Sequence, residues 1–169
     1  VIALEIIKRF LKKIKIKKIE VMPLVGHGKV FDSIKSKNFS KIGYLKELPS
    51  GGFSNQSLKG FLLDFFAGFL VDTFKNFLIV RGKSKDNYKI IAVGDLLPLF
   101  FAWISKCDFS FVGMPKSDHT WSNGPGWAFS DFYHKFKGSE WDPWETFLMR
   151  SSRCKSLIMR DEITANNLN

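Results

Sequence analysis

The chain has 169 residues, 45% of them hydrophobic, which is enough for one domain with a buried core and too many for an intrinsically disordered segment. Its formal charge of +10 favours anionic partners: nucleic acid, anionic lipid headgroups or phosphate-bearing substrates. The two cysteines, Cys107 and Cys154, and the three scattered histidines exclude a disulfide scaffold; they read as free thiols of a reducing compartment, and no metal site is expected.

The first predicted element is a helix, "VIALEIIKRFLKK", whose apolar residues recur at helical spacing. Lys8, Arg9, Lys12, Lys13, Lys15, Lys17 and Lys18 concentrate positive charge there, either as a solvated helix face or as an anion-binding patch. With Val1 first, no capping residue and no signal-peptide cleavage site, the segment reads as a helix already in progress, the start of a fragment of a larger protein.

"IEVMPLV" (Ile19 to Val25) follows as a strand, and "GHGKVFDSIKS" as a turn into a short helix. Gly26 and Gly28, flanking His27, are either a phosphate-holding loop at a helix N-terminus or a tight strand-to-helix turn. The third glycine of a dinucleotide fingerprint is absent. "KIGYL" (Lys41 to Leu45) is a second short strand, and "KELPSGGFSNQ", with Gly51 and Gly52, a loop.

Ser57 to Val80 is predicted as one helix, about 36 Å long at helical rise. Asp64, Gly68, Asp72, Lys75 and Asn76 fall on one stripe of it, and the remaining surface is rich in Phe and Leu. A central Asp costs roughly 2.5–3.5 kcal/mol to insert, which argues against a membrane span. The wide apolar face is left with two destinations: a sheet to pack on, or a membrane surface with lysines on anionic headgroups.

"YKIIAV" is a third strand, "LPLFFAWISK" a helix with Pro98 in its first turn, "FSFVGM" a fourth strand, "PWETFLMRS" a helix after a Trp-rich segment, and "SLIMR" (Ser156 to Arg160) a fifth strand. The tryptophans are either anchors pinning a long loop or a lipid- or sugar-facing surface; His119 and His134 read as structural or solvent-facing. Strands apolar throughout and separated by helices predict an α/β fold, a Rossmann-like doubly wound parallel sheet. Such sheets bind ligands beyond the carboxyl ends of their strands, where Gly26-His27-Gly28, Gly51-Gly52, Gly94-Asp95 and Gly113 to Ser117 all fall. Asp95 has two readings: the cap of the next helix, or a general base at the mouth of a site.

Six ordered stretches, "MPLVGHGKVFDS", "LPSGGF", "AVGDLLPLFFAW", "FVGMPKSDHTW", "DPWETFLM" and "SSRCKSLIMRDEITA", together resemble the lipid-A-disaccharide-synthase-related proteins of photosynthetic bacteria. The resemblance spans essentially the whole chain. It implies residues 1–169 as one acceptor-binding domain, the amino-terminal half of a GT-B glycosyltransferase. The first strand and glycine-rich loop would lie ahead of Val1, and the carboxy-terminal donor-binding domain would be missing. It further implies transfer of a hexose, such as N-acetylglucosamine from its UDP donor, to a lipid-linked or phosphorylated sugar, with no further cofactor. This fragment alone would then be inactive. An aspartate followed closely by proline is the proposed base of the authentic synthases, and Asp95 with Pro98 matches that position approximately. Gly26, His27, Gly28, Gly51, Gly52, Gly94, Gly113, Lys116 and Ser117 would line the acceptor cleft, with Lys116 offsetting phosphate charge. The implied location is cytoplasmic, peripheral on the inner face of the membrane. A sugar-nucleotide epimerase of the same scaffold, or a non-catalytic membrane-surface or anion-binding module, remains as the alternative; nucleic acid is not expected, because no RNA-recognition signature or recognition helix is present.

Overall fold

In a computed structural model, the described residues are 2–13, 17–24, 28–44, 49, 58–83, 87–94, 96–113, 141–160 and 162. The protein is mixed α/β with two small parallel sheets, an arrangement compatible with a Rossmann-like fold. The chain divides into two compact units, Val1–Ile79 and Val80–Asn169.

The first unit opens with helix α1 (Ile2–Lys13). Ile7 is its buried contact, while Lys8, Arg9 and Lys12 are exposed and Lys8 pairs with Glu5 one turn back at 3.3 Å. The described lysines of this helix thus form a solvated face. Strands β1 (Ile19–Val21) and β2 (Phe39–Lys41) pair in parallel, Ile19 opposite Phe39 and Val21 opposite Lys41, with a 3₁₀ helix (Gly28–Ser33) in the crossover. β2 lies earlier than the predicted "KIGYL", and the reason is local. Ile42 still donates to the Val21 carbonyl at 2.9 Å, but Gly43 then turns into the left-handed region at φ 92° and ends the extended run.

The long predicted helix is two helices, α2 (Leu58–Phe66) and α3 (Phe69–Arg81), broken at Ala67–Gly68 with Gly68 at φ 95°. Its faces are inverted relative to the usual pattern. Asp64 is 1% exposed and Asn76 3%, whereas Phe66 is 81% and Phe74 61% exposed. Asn76 explains the rotation of α3. Its side-chain oxygen accepts from the Tyr44 backbone N–H at 2.7 Å, and its amide donates to the Tyr44 carbonyl at 3.1 Å. That clamp turns the Asn76 side of the helix inward, and Val71, Phe74 and Leu78 go outward by helical geometry.

The second unit holds β3 (Ile90–Val93), α4 (Leu96–Ile104), β4 (Phe109–Gly113), α5 (Pro143–Met149) and β5 (Cys154–Met159). All three strands are parallel, in the order β3-β4-β5, with Ala92 opposite Phe111 and Phe111 opposite Leu157. Ala92, Phe109 and Phe111 pack with Leu99 and Ala102 of α4, Leu148 and Met149 of α5, and Trp141. On the opposite face Ser156 donates to the Ser110 hydroxyl at 2.8 Å. The sequence predicts one five-stranded sheet. The five strands do form near their predicted places and pair in parallel, but hydrogen bonding divides them into sheets of two and three. Strands of three residues, the second stopped by Gly43, offer few ladder bonds to extend a sheet.

Candidate functional site: the carboxyl edge of the β3–β4 pair

β3 is apolar and buried at Ala92, and its ladder with β4 runs to its last residue, Val93 opposite Val112. Beyond it the Gly94 N–H donates to the Val112 carbonyl at 3.0 Å, so the two strand ends are held side by side. Gly94 has φ 137°, a backbone state that L side chains rarely adopt, and a Cβ there would lie 3.1 Å from Pro98 Cγ. The glycine therefore lets the chain leave the strand and enter α4 in two residues. Pro98 occupies the first turn of α4, where its missing N–H leaves no intrahelical bond unmade.

Gly113 ends β4 at the same edge, and it is glycine for a packing reason. A Cβ would come within 2.8 Å of Trp141 Cη2 and 3.0 Å of both Met159 Sδ and Phe111 Cε1. Trp141 is fully buried and meets Phe111 edge-on at 5.9 Å, so its indole lies against the end of the strand from the core side. Gly94 and Gly113, two of the residues predicted to line a cleft, are thus brought together at the ends of adjacent strands. Gly28 is in the first unit, where it opens the 3₁₀ helix after β1 and lies beside Pro23, 3.6 Å from its would-be Cβ. Asp95, Gly26, His27, Gly51, Gly52, Lys116 and Ser117 lie outside the described residues, as do His119 and His134.

Two supporting features escaped the sequence reading. "DPWE" carries an N-cap signature: Asp142 precedes α5, Pro143 takes its first position, and the Glu145 carboxylate accepts from the Asp142 backbone N–H at 3.0 Å. The acid three residues after the cap was a legible signal. Glu145 is fully buried, so the cap is part of the core and not a surface ornament. The turn after α4 is held by Ser105, whose hydroxyl donates to the Ala102 carbonyl at 2.6 Å and accepts from the Cys107 N–H at 3.1 Å. Ser105 and Cys107 are both buried, and Lys106 between them has φ 64°. Nothing but the order "SKC" marked this turn in the sequence.

Among the described residues no group of three or more His, Cys, Asp or Glu is placed to hold a metal ion. Both cysteines are free; burial pushes the Cys154 thiol up from its ordinary value, partly offset by a backbone hydrogen bond with Ser156. In the first unit an open depression of about 450 Å³ lies at the α2–α3 break, lined by Tyr44, Phe66, Gly68, Val71, Asp72 and Lys75. Lys75 Nζ sits 4.7 Å from the Tyr44 ring centroid. No described helix is long and apolar enough to cross a membrane. The chain matches no family model, no curated protein and no solved structure.

Proposed function

We propose that this chain is the acceptor-binding half of an inverting, nucleotide-sugar-dependent glycosyltransferase of GT-B type, related to lipid A disaccharide synthase. The acceptor is a lipid-linked or phosphorylated sugar. The donor is a UDP-hexose such as UDP-N-acetylglucosamine, held by a domain outside these residues. The observation that supports this reading is the paired carboxyl edge of β3 and β4. A parallel sheet leaves its ligand sites at that edge, and the Gly94 to Val112 hydrogen bond gathers two strand ends and the start of α4 into one place.

Asp95 falls in the chain between Gly94 and Leu96, between the end of one described element and the start of the next. In the proposed mechanism it takes the proton from the acceptor hydroxyl as that oxygen attacks the anomeric carbon of the donor, and the UDP leaves from the opposite face. Lys116 offsets the acceptor phosphate. The test uses the full-length protein and follows hexose transfer from UDP-N-acetylglucosamine to lipid-linked acceptors. Asp95→Asn keeps the size of the side chain and removes its basicity, so turnover falls by roughly 10²–10⁴-fold, the usual contribution of a general base. Stability changes by about 1 kcal/mol or less, as for an altered cap. Near-normal turnover with a clear loss of stability would make Asp95 a cap alone and place the base elsewhere.

A further inference from the structure

We infer that the amino edge of the β1–β2 sheet is a docking surface for an acidic segment of a partner protein. Parallel strands begin side by side, so the residues leading into both meet at one end of the sheet. Here Ile19 starts β1 opposite Phe39, which starts β2, and the Ile19 N–H donates to the Asn38 carbonyl at 2.7 Å. Carried back two positions, that register sets Lys17 beside Lys37, with Lys35 a further two residues before. Helix α1 feeds the same edge. It ends at Lys13, four residues before Lys17, a stretch that spans at most about 14 Å. Lys12 lies in its last turn and Arg9 one turn earlier on the same side.

Arg9, Lys12, Lys17, Lys35 and Lys37 are all exposed, and none of them has an acidic partner among the described residues. The acids nearby are already used: Glu5 pairs with Lys8 at 3.3 Å and Glu20 with Lys18 at 2.7 Å. Five cations gathered at one edge without counter-charge repel one another, and an anion laid across them relieves that repulsion. The edge fits a polypeptide better than other polyanions. From Glu5 to Lys41 the described residues expose one large apolar side chain, Val30, and it lies past the carboxyl end of β1 in the 3₁₀ helix. A bilayer interface takes up apolar side chains as well as charge, and this edge offers it none. Nucleic acid is held by Arg forks on phosphate and by aromatic side chains under its bases. Four of the five cations are Lys, and among the described residues no exposed aromatic side chain stands at the edge. Lysines on flexible stems, set beside standing Lys–Glu pairs, match the separate carboxylates of an acidic polypeptide. The inference uses no residue of the β3–β4 edge and stands apart from the transferase reading.

The test titrates the full chain into fluorescein-labelled oligoglutamate, and into a labelled oligothymidylate of equal charge, and reads anisotropy. Oligoglutamate should bind saturably and more tightly than oligothymidylate, with an affinity that falls as salt rises. Lys17→Glu with Lys37→Glu should weaken oligoglutamate binding about tenfold, the effect of two exposed contacts turned repulsive. Lys59→Glu with Lys75→Glu makes the same change of net charge on α2 and α3, and screening should keep its affinity within about twofold of the parent. The far-ultraviolet circular dichroism of both variants should match the parent. Tighter binding of oligothymidylate, or equal losses in the two variants, overturns the inference. So does recovery of the chain on phosphatidylglycerol vesicles without binding of oligoglutamate.

Discussion

Asn76 does for α3 what an apolar stripe usually does: it decides which side is in. Two hydrogen bonds, 2.7 and 3.1 Å, tie it to both polar groups of the Tyr44 backbone. A Cβ at Gly43 would lie 2.6 Å from the Asn76 side-chain oxygen, so the neighbouring residue has to be glycine for the clamp to close. Asn76→Ala removes both hydrogen bonds from the part-buried Tyr44 backbone, and at about 0.5–1.5 kcal/mol each we expect a loss of about 1–3 kcal/mol in chemical denaturation of the chain. An unchanged midpoint would show that the clamp does not set the helix. Cys154 makes a second prediction at this scale. The thiolate is the reacting species, and a thiol whose pKa is raised by burial holds less of it at a given pH. Alkylation of Cys154 should therefore be slower than that of a free thiol at pH 8, and its rate should reach half-maximum above the ordinary thiol pKa; a half-maximum below it would contradict the burial.

At the scale of elements, β3, β4, β5 and α4 were readable because their apolar runs were bounded by glycine, proline and charge. "IIAV" and "FSFVG" are strands at almost the predicted limits, and Gly94 and Gly113 fall where strands had to end. The helix of Ser57 to Val80 was readable only as a helix. The spacing of Asp64, Asp72 and Asn76 identified a polar stripe, but a period fixes the angle between two faces and not which of them is buried. Assigning the apolar face to the inside is the usual default, and the helix's own Asn76, clamped on the backbone of a residue 32 positions away, inverted it. The break at Gly68 was likewise invisible, since an isolated glycine is tolerated inside many helices. The Trp-rich segment divides in an informative way. Trp141 is fully buried under the end of β4, whereas Trp144, on α5, is 49% exposed. Trp141→Ala should cost about 3–5 kcal/mol, the range for large aromatic deletions in cores, and Trp144→Ala should stay within about 0.5 kcal/mol. Thermal denaturation of the two variants separates them, and equal losses would contradict the packing described.

Over the whole molecule, burial is uneven. The second unit has a core of eight residues drawn from β3, β4, α4, α5 and Trp141. Among the described residues of the first unit, the buried apolar side chain is Ile7, and the helices α2 and α3 expose Leu63, Phe66, Leu70, Val71, Phe74 and Leu78. Local stability follows buried contact, so hydrogen exchange should show the amides of β3 and β4 protected by orders of magnitude more than those of α2 and α3. Uniform protection would mean that the first unit has support beyond that described. The mixed α/β class with parallel strands was legible in the alternation of apolar strands with helices, while the division into two sheets depended on strand length and pairing, which no local pattern reports. At the candidate edge, the glycines that end β3 and β4 were legible. The residues that would carry chemistry there, Asp95, Lys116 and Ser117, are known from the sequence and its resemblance alone. The most direct test of the acceptor reading is therefore at the edge itself: titrate isotope-labelled chain with N-acetylglucosamine 1-phosphate and follow the backbone amides by NMR. The account predicts saturable shifts concentrated at Gly94, Leu96 and Gly113, with Gly28 and α1 unmoved. Shifts confined to the lysines of α1, or none at the carboxyl edge of β3 and β4, would contradict it.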